Sequence, residues 1–554
     1  MLSPTRLENI ARRRRDCLVV CLALLALVAS SCATSEKSDA GRNYEHAGRT
    51  ANATNANTGS TGGLYARNEP GEVADGNTEA YSRIDENPFL EVARAPLSTF
   101  SIDVDTASYS NTRRFLLDEG RLPPKDAVRI EELVNYFPYE YPQPTGGAPF
   151  SVHAEVADCP WNAQHRLVHI GLQGRRVTSE NLPPANLVFL LDVSGSMNDP
   201  RKLPLVKDAM RTLAGQLTAR DRIAIVVYAG TSGLVLPATP GDRKWEIVAA
   251  IDDLAAGGST NGGEGIQLAY RVAQENFIEG GTNRVILATD GDFNVGVTSE
   301  SELVQLVEEK RKGGVFLSVL GFGTGNLQDS RMEKLADKGN GNYAYIDSHA
   351  EARKVLGDEI GGTLLTIAKD VKIQVEFNPR LVAGYRLIGY ENRLLRDEDF
   401  NDDSKDAGEI GAGHNVTALY EIVPAGQKVE NPGVDDLKYQ QPARKVEGTG
   451  AGEMLTVKLR YKEPDGNESK PLNVGVVDSK GAHQNASDNF KFASAVAQFG
   501  MLLRDSRYKG QASYDGVLQL ARASAGTDLR GHRTEFLKLV ETAQALSARE
   551  RAGR

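Results

Sequence analysis

The chain has very few cysteines for its length. Four occur in 554 residues, and Cys17 and Cys21 lie in an apolar stretch at the amino-terminal end. Cys32 follows that stretch, so Cys159 is alone in the rest of the chain. The residues after Cys32 must therefore fold without an internal disulfide, and Cys159, close to Trp161, is predicted to be a buried small apolar side chain.

An excess of positive charge is also missing. The 64 Lys and Arg residues are outnumbered by 74 Asp and Glu residues, giving a net charge of −10. This balance argues against nucleic acid, and against an anionic membrane surface, as the main partner. The glycine-rich stretch from Gly257 to Gly263 lacks the lysine of a phosphate-binding loop, so no nucleotide is predicted.

No apolar run is long enough for a membrane-spanning helix of about 20 residues. Leu18 to Val28 is a short apolar segment that follows Arg12 to Arg15, which is typical of a signal peptide over residues 1–31. Small residues then lead to Cys32, as in a bacterial lipobox. Lipidation of Cys32 and outer-membrane placement in the cell envelope are predicted. The alternative is ordinary signal-peptide cleavage near Ser30.

Residues 32–86 contain almost no large apolar side chains in their first part. A stretch such as residues 51–63, which is rich in Asn, Thr, Gly and Ala, cannot bury enough surface to offset the entropy of ordering it. This segment is predicted to be a flexible tether with a reach of roughly 40 Å.

Leu187 to Met197 is the most informative stretch. An unbroken apolar run predicts a strand buried on both faces, and the run ends in Asp192-x-Ser194-x-Ser196. Ligands of open α/β sheets bind at the carboxyl ends of parallel strands. Asp and Ser oxygens suit Mg²⁺, Mn²⁺ or Ca²⁺, although the same residues are also common helix caps.

Two later stretches add further oxygen donors. Thr260 lies in the glycine-rich stretch before a predicted helix, and Arg284 to Thr289 predicts a second buried strand that Asp290 follows. Together with Asp192, Ser194 and Ser196, these residues resemble the metal-ion-dependent adhesion site of the von Willebrand factor type A domain. The resemblance implies a Rossmann-like α/β domain over residues 184–366, with a mostly parallel sheet and helices on both faces.

The flanking segments resemble regions that accompany this domain in bacterial exported proteins. Residues 87–183 predict an α+β region and residues 367–480 a β-rich region. Because the type A domain has neighbouring termini, the two are expected to form one β-sandwich with the type A domain inserted. Residues 481–554 predict core-facing helices.

Several other residues could be metal ligands, but a structural role explains each of them. Asp103 and Asp105 are predicted to be a strand-end turn and a helix cap rather than metal ligands. His165 and His169 are predicted to lie on a plain sheet face, since no third ligand follows. The acidic run Asp397 to Asp403 lacks the glycine of an EF-hand loop and is predicted to be a solvated hairpin loop.

The resemblance also implies a binding mechanism. Ser194 and Ser196 would contact the metal directly, Thr260 directly or through water, while Asp192 and Asp290 would hold coordinating waters. An open coordination position would then accept an Asp or Glu oxygen from a protein partner. The chain is thus predicted to be a membrane-anchored binding protein and not an enzyme.

Two other functional interpretations stay open. One is an envelope scaffold whose metal site is not essential. The other is a metal-assisted hydrolase, for which Asp292 and Glu264 are the nearest candidate bases along the sequence. As a first-turn helix residue, Glu264 also suits the helix dipole.

Overall fold

A computed structural model describes most of the chain after the predicted tether. The described residues are 79–102, 105–229, 232–258, 262–291, 299–324, 327–429, 452–464 and 466–553. All of them belong to one contact unit, residues 75–554. The predicted signal peptide, Cys32 and most of the predicted tether lie outside the described residues. Within the described part of the chain, no helix combines the length and the apolarity needed to cross a membrane.

Strands and helices alternate through the middle of the chain. After that part, the strands follow one another, and three α-helices end the described part of the chain. The described strands are β1 Leu90–Glu91, β2 Leu97–Ser101, β3 Phe150–Cys159, β4 Asn162–Gly174, β5 Ala185–Asp192, β6 Arg222–Tyr228, β7 Ser232–Pro240, β8 Thr282–Thr289, β9 Phe316–Phe322, β10 Tyr343–Ile346, β11 Thr366–Phe377, β12 Val382–Ile388, β13 Gly408–Gly411, β14 Asn415–Pro424, β15 Glu453–Lys462 and β16 Lys470–Val477. The described α-helices are α1 Ala107–Arg113, α2 Ile130–Asn135, α3 Leu203–Gln216, α4 Lys244–Asp252, α5 Gly262–Glu275, α6 Glu300–Lys312, α7 Asp329–Lys338, α8 His349–Arg353, α9 Ile360–Leu364, α10 Asp488–Arg504, α11 Tyr514–Ala523 and α12 His532–Gly553.

The middle of the chain folds around a six-stranded sheet in the order β10-β9-β8-β5-β6-β7. All pairings are parallel except that of β7, which runs antiparallel to β6 at the edge. Every residue of β5 is buried, because apolar clusters cover both faces of the sheet. The predicted Rossmann-like α/β domain with a mostly parallel sheet is confirmed.

A β-sandwich is built from the segments on either side of this domain. One sheet has the order β1-β12-β14-β4-β3, and the other has the order β13-β11-β15-β16, with β2 also paired to β11. Strand β4 precedes the α/β domain and pairs with β14, which follows it. Side chains of both sheets share one apolar core, so the predicted insertion of the α/β domain into a sandwich is confirmed.

The carboxy-terminal helices form a third layer. Helices α10, α11 and α12 pack with α2 in a cluster that also contains Leu167 and Leu419, which lie on strands of the first sandwich sheet. Phe492, Phe499 and Phe536 meet edge to face in this cluster. The predicted core-facing helices are thus an integral layer of the fold.

Two local predictions differ from the structure. Ordered contacts begin before Asn87: the Ala80 amide donates to the Leu327 carbonyl at 3.0 Å, and Glu79 pairs with the buried Arg114. Asp105 is not a helix cap, because its carboxylate accepts the Tyr343 amide at 2.8 Å and pairs with Arg393. Both contacts join residues distant in sequence, which a local pattern does not reveal. Asp103 lies outside the described residues.

Candidate metal centre

Two neighbouring parallel strands bring the predicted carboxylates to one edge of the sheet. Strand β5 pairs with β8 from Ala185 to Leu191. Asp192 ends β5, and Asp290 follows the last residue of β8. Both Asp residues are completely buried. The two carboxylates therefore lie close together at the carboxyl edge of the sheet, where ligands of this fold class bind.

The Asp192 carboxylate is held on both oxygens. The Ser194 amide donates to Oδ1 at 2.8 Å, and the Tyr228 hydroxyl donates to Oδ2 at 3.3 Å. The Ser194 and Ser196 hydroxyl oxygens lie 3.0 Å apart. Burial decreases along the turn, since Ser194 is buried and Ser196 is exposed. The turn thus carries oxygen donors from the sheet interior to the surface.

The glycine-rich stretch is fixed against the same turn. The Gly257 amide donates to the Val193 carbonyl at 2.7 Å, and the Gly195 amide donates to the Gly258 carbonyl at 3.0 Å. These hydrogen bonds place the start of the stretch beside Ser194 and Ser196. Thr260 itself lies outside the described residues, as does Asp292.

Burial dominates the electrostatics of Asp192. Loss of hydration raises the pKa of its carboxyl to about 6, hydrogen bonds from Ser194 oppose the rise, and the Asp290 carboxylate adds to it. Burial and the Asp192 charge raise the pKa of the Tyr228 phenol well above its ordinary value. Tyr228 therefore stays a neutral hydrogen-bond donor at physiological pH.

A lysine that sequence reasoning missed completes the surroundings of Asp290. Lys202 lies just before α3, and its Nζ donates to Asp290 Oδ2 at 2.8 Å. Its side chain is 10% exposed. The only signal in the sequence is a lysine shortly after the Asp192 turn, and nothing local predicts its partner.

The donor set fits a hard divalent cation. Asp192, Ser194, Ser196 and Asp290 offer only oxygen atoms, and hydroxyl and carboxylate oxygens are the ligands that Mg²⁺, Mn²⁺ and Ca²⁺ prefer. The structure brings these four predicted residues together. Glu264 lies in the first turn of α5, as predicted, and is exposed.

The remaining candidates have structural partners. His165 contacts the Glu421 carboxylate at 2.6 Å, and the His169 ring contacts the Tyr141 hydroxyl at 2.9 Å. Both lie on β4, in agreement with the predicted sheet face. Cys159 is a free, buried cysteine, and burial raises the pKa of its thiol well above the ordinary value. It is therefore an apolar core residue, as predicted.

Two acidic groups are part of ion-pair networks. In the predicted solvated loop, Asp399 is in fact buried and pairs with Arg396, because the loop folds into a short 3₁₀ turn from Asp397 to Asn401. A second group, Asp370, Asp406 and Glu409, has carboxylate oxygens within 4.8 Å of one another. Lys462 and Arg311 pair with its two aspartates at 2.6 and 2.7 Å. Cationic side chains thus already pair with Asp399, Asp370 and Asp406.

Three family descriptions match successive parts of the chain. "von Willebrand factor" matches residues 75–169, "von Willebrand factor type A domain" matches residues 186–358, and "Uncharacterized protein YfbK, C-terminal" matches residues 362–546. The second match contains all five residues of the predicted metal site.

Individual proteins are also similar to this chain. The chain is 45% identical over 483 residues to "Uncharacterized protein YfbK" of Escherichia coli (strain K12), which covers 86% of this chain and 83% of the relative. It is 27% identical over 261 residues to "Inter-alpha-trypsin inhibitor heavy chain H3" of Bos taurus, covering 43% of this chain and 28% of that protein. A solved structure, "von Willebrand factor type A from Catenulispora acidiphila", is 15% identical with a TM-score of 0.38, over 70% of this chain and 89% of that one.

Proposed function

This chain belongs to the YfbK family of von Willebrand factor type A proteins, and on that premise we propose that it captures a protein partner through a divalent metal ion. Type A domain proteins mediate protein interactions or adhesion. The proposal names Asp192, Ser194, Ser196, Thr260 and Asp290 as the residues that hold the metal. Mg²⁺ is the proposed ion, with Mn²⁺ or Ca²⁺ as substitutes.

The single observation that carries the proposal is the convergence of oxygen donors at one sheet edge. The Ser194 and Ser196 hydroxyls lie within 3.0 Å of each other, directly after the buried Asp192. Asp290 follows the end of the adjacent strand, where its charge acts on the Asp192 carboxylate. Two buried carboxylates of like charge repel each other; the Lys202 ammonium offsets part of that repulsion at Asp290, and a divalent cation would offset the rest.

Each residue has a proposed role. Ser194 and Ser196 contribute neutral oxygens, so they leave the positive charge of a bound ion largely uncompensated. Asp192 is fixed by the Ser194 amide and by Tyr228, which orients the turn. When bound, the metal supplies an electrophilic position that accepts an Asp or Glu oxygen of the partner. Exposed Ser196 lies on the side from which that side chain would approach.

We also propose that the protein is exported and anchored in the cell envelope through lipidated Cys32, with placement in the outer membrane. The basis is the sequence alone: a cationic and apolar leader is followed by small residues and a cysteine. A Cys32→Ser variant that stayed with membranes as fully as the unmodified protein would count against the anchor.

The test of the binding proposal is affinity capture from solubilised cell envelopes. Unmodified protein and Asp192→Ala are each used in Mg²⁺ and in EDTA, with Asp253→Ala, an exposed carboxylate of the same domain, as the matched control. The expected result is a partner captured by the unmodified protein and by the control only in Mg²⁺, and by Asp192→Ala in neither buffer.

The circular-dichroism spectrum of each variant shows that the fold is retained. Capture of the same partners under all conditions would contradict the proposal, and would favour a scaffold that binds through the sandwich or the carboxy-terminal helices.

A further inference from the structure

We propose that Lys202 sets the charge of the metal site, so that it weakens metal binding and strengthens binding of the partner carboxylate. This inference rests on the proposed function and adds a determinant of its selectivity. The evidence for it is the Lys202–Asp290 ion pair and the contacts that fix the lysine side chain.

The position of Lys202 is built into the fold. Its backbone closes a turn, with the Lys202 amide donating to the Asp199 carbonyl at 2.9 Å, and its own carbonyl accepts the Val206 amide at the start of α3. The connection between β5 and α3 therefore carries Lys202 as well as Ser194 and Ser196. A long exposed lysine would be free to move, but this side chain is only 10% exposed.

A glycine leaves the space that the lysine stem occupies. Gly323 follows β9 with φ of +76°, and a Cβ at that position would collide with the Lys202 side chain. The Tyr345 hydroxyl donates to the Gly323 carbonyl at 2.6 Å, which fixes this part of the backbone. The turn before α3 and the backbone after β9 thus hold the Lys202 ammonium group against Asp290.

The effect of Lys202 on binding follows from the charges of the side chains at the site. The described site contains two carboxylates, Asp192 and Asp290, and one ammonium, Lys202, while its hydroxyls are neutral. When both carboxylates are ionised, these three described side chains together carry −1, and a divalent cation changes their total to +1. A single carboxylate from a partner then brings the total to zero.

Without the lysine, the same two carboxylates would neutralise a divalent cation completely. Metal binding would be stronger, because two unpaired anions attract the cation and no ammonium repels it. A partner carboxylate would meet a neutral site and lose electrostatic attraction. Lys202 therefore weakens binding of the metal and strengthens binding of the partner carboxylate. A residue that only supports the fold would not change the two affinities in opposite directions.

The experiment measures both steps on the purified full chain. Mg²⁺ is titrated into metal-free protein by calorimetry, and acetate is titrated into Mn²⁺-loaded protein while the water-proton relaxation rate is recorded. The variants are Lys202→Met and Lys202→Gln, of which the second keeps a hydrogen-bond donor for Asp290. Lys207→Met is the matched control, because Lys207 lies on α3, the helix that follows Lys202, and donates to the Asp252 carbonyl at 2.9 Å.

For both Lys202 variants we expect Mg²⁺ affinity to rise about tenfold and acetate affinity to fall by a similar factor, with no change in Lys207→Met. Unchanged or weaker Mg²⁺ binding in folded Lys202→Gln would overturn the inference, as would an unchanged acetate affinity. The proposed function fails separately, if neither the unmodified protein nor any variant binds Mg²⁺.

Discussion

At the scale of single residues, burial decides how strongly a side chain is desolvated and whether solvent or a partner can reach it. Asp192 and Asp290 are completely buried, whereas Ser196 is exposed on the same turn. Burial of the carboxylates therefore costs hydration free energy, which hydrogen bonds and the Lys202 ammonium offset in part. The hydroxyl at the surface is the group that a partner can reach.

His169 shows the same effect in a side chain that supports the fold. Its ring is buried against the Tyr141 hydroxyl, and burial lowers its pKa to about 3, with His153 adding to the effect. The folded protein therefore keeps this ring neutral at pH values where the unfolded chain protonates it.

We predict that the protein loses stability as the pH falls below about 6.5, and that His169→Gln removes part of this loss. The ring of the unfolded chain takes up a proton near its ordinary pKa, and the folded protein does not do so until near pH 3. One such group contributes about 1.4 kcal/mol per pH unit to the unfolding free energy. The measurement is urea unfolding at pH 7, 6, 5 and 4.5.

The control for this prediction is His349→Gln, which removes a histidine that is 72% exposed and leaves the buried ring in place. If His169→Gln and His349→Gln had the same dependence of unfolding free energy on pH as the unmodified protein, burial of His169 would not contribute to acid sensitivity.

At the scale of strands and helices, apolar patterns predict the elements with a buried face. The two strands predicted beside the candidate site are present as β5 and β8, and each ends where it was predicted to end, since each is an apolar run with a clear end. Strand β16 was not predicted. It is an edge strand of mostly exposed residues that contains a proline and a glycine, and its pairing with β15, rather than its own sequence, determines its conformation.

The residues of the candidate site also divide into those that the sequence predicts and those that it does not. The carboxylates and hydroxyls were predicted because each follows a buried strand or lies in a short motif. Lys202 and the buried role of Asp105 were not predicted, because each depends on a partner from a different part of the chain: Asp290 for Lys202, and Tyr343 and Arg393 for Asp105. Sequence reasoning named the oxygen donors of the candidate site and missed Lys202, which pairs with one of them.

At the scale of the whole molecule, buried ion pairs join the type A domain to its support. Arg113 in α1 contacts Asp347 and Glu351, which follow β10 in the type A domain, at 2.5 and 2.8 Å. The same guanidinium contacts Glu535 in α12 at 2.9 Å. One cation thus connects the amino-terminal region, the inserted domain and the carboxy-terminal helices.

We predict that Arg113→Met lowers the free energy of unfolding by about 3–5 kcal/mol, because it leaves the buried carboxylates of Asp347 and Glu351 without their shared cation. Burial already raises the pKa of Asp347, and Arg113 opposes that rise. Denaturant unfolding monitored by tryptophan fluorescence and by circular dichroism is the measurement, and both signals are expected to shift together.

Arg211→Met is the matched control. Arg211 pairs with Asp252 on the surface, where its side chain is 39% exposed, and such pairs contribute at most about 1 kcal/mol. Equal shifts in the two variants would mean that the Arg113 network does not couple the three segments.

The central claim is that the oxygens beside Asp192 bind a divalent cation. The most direct measurement is a crystal structure of the protein with Mn²⁺, using anomalous diffraction to locate the ion. The account predicts a peak roughly 2–2.5 Å from the Ser194 and Ser196 hydroxyl oxygens. No peak at this turn, or a peak only at Asp370, Asp406 and Glu409, would contradict it.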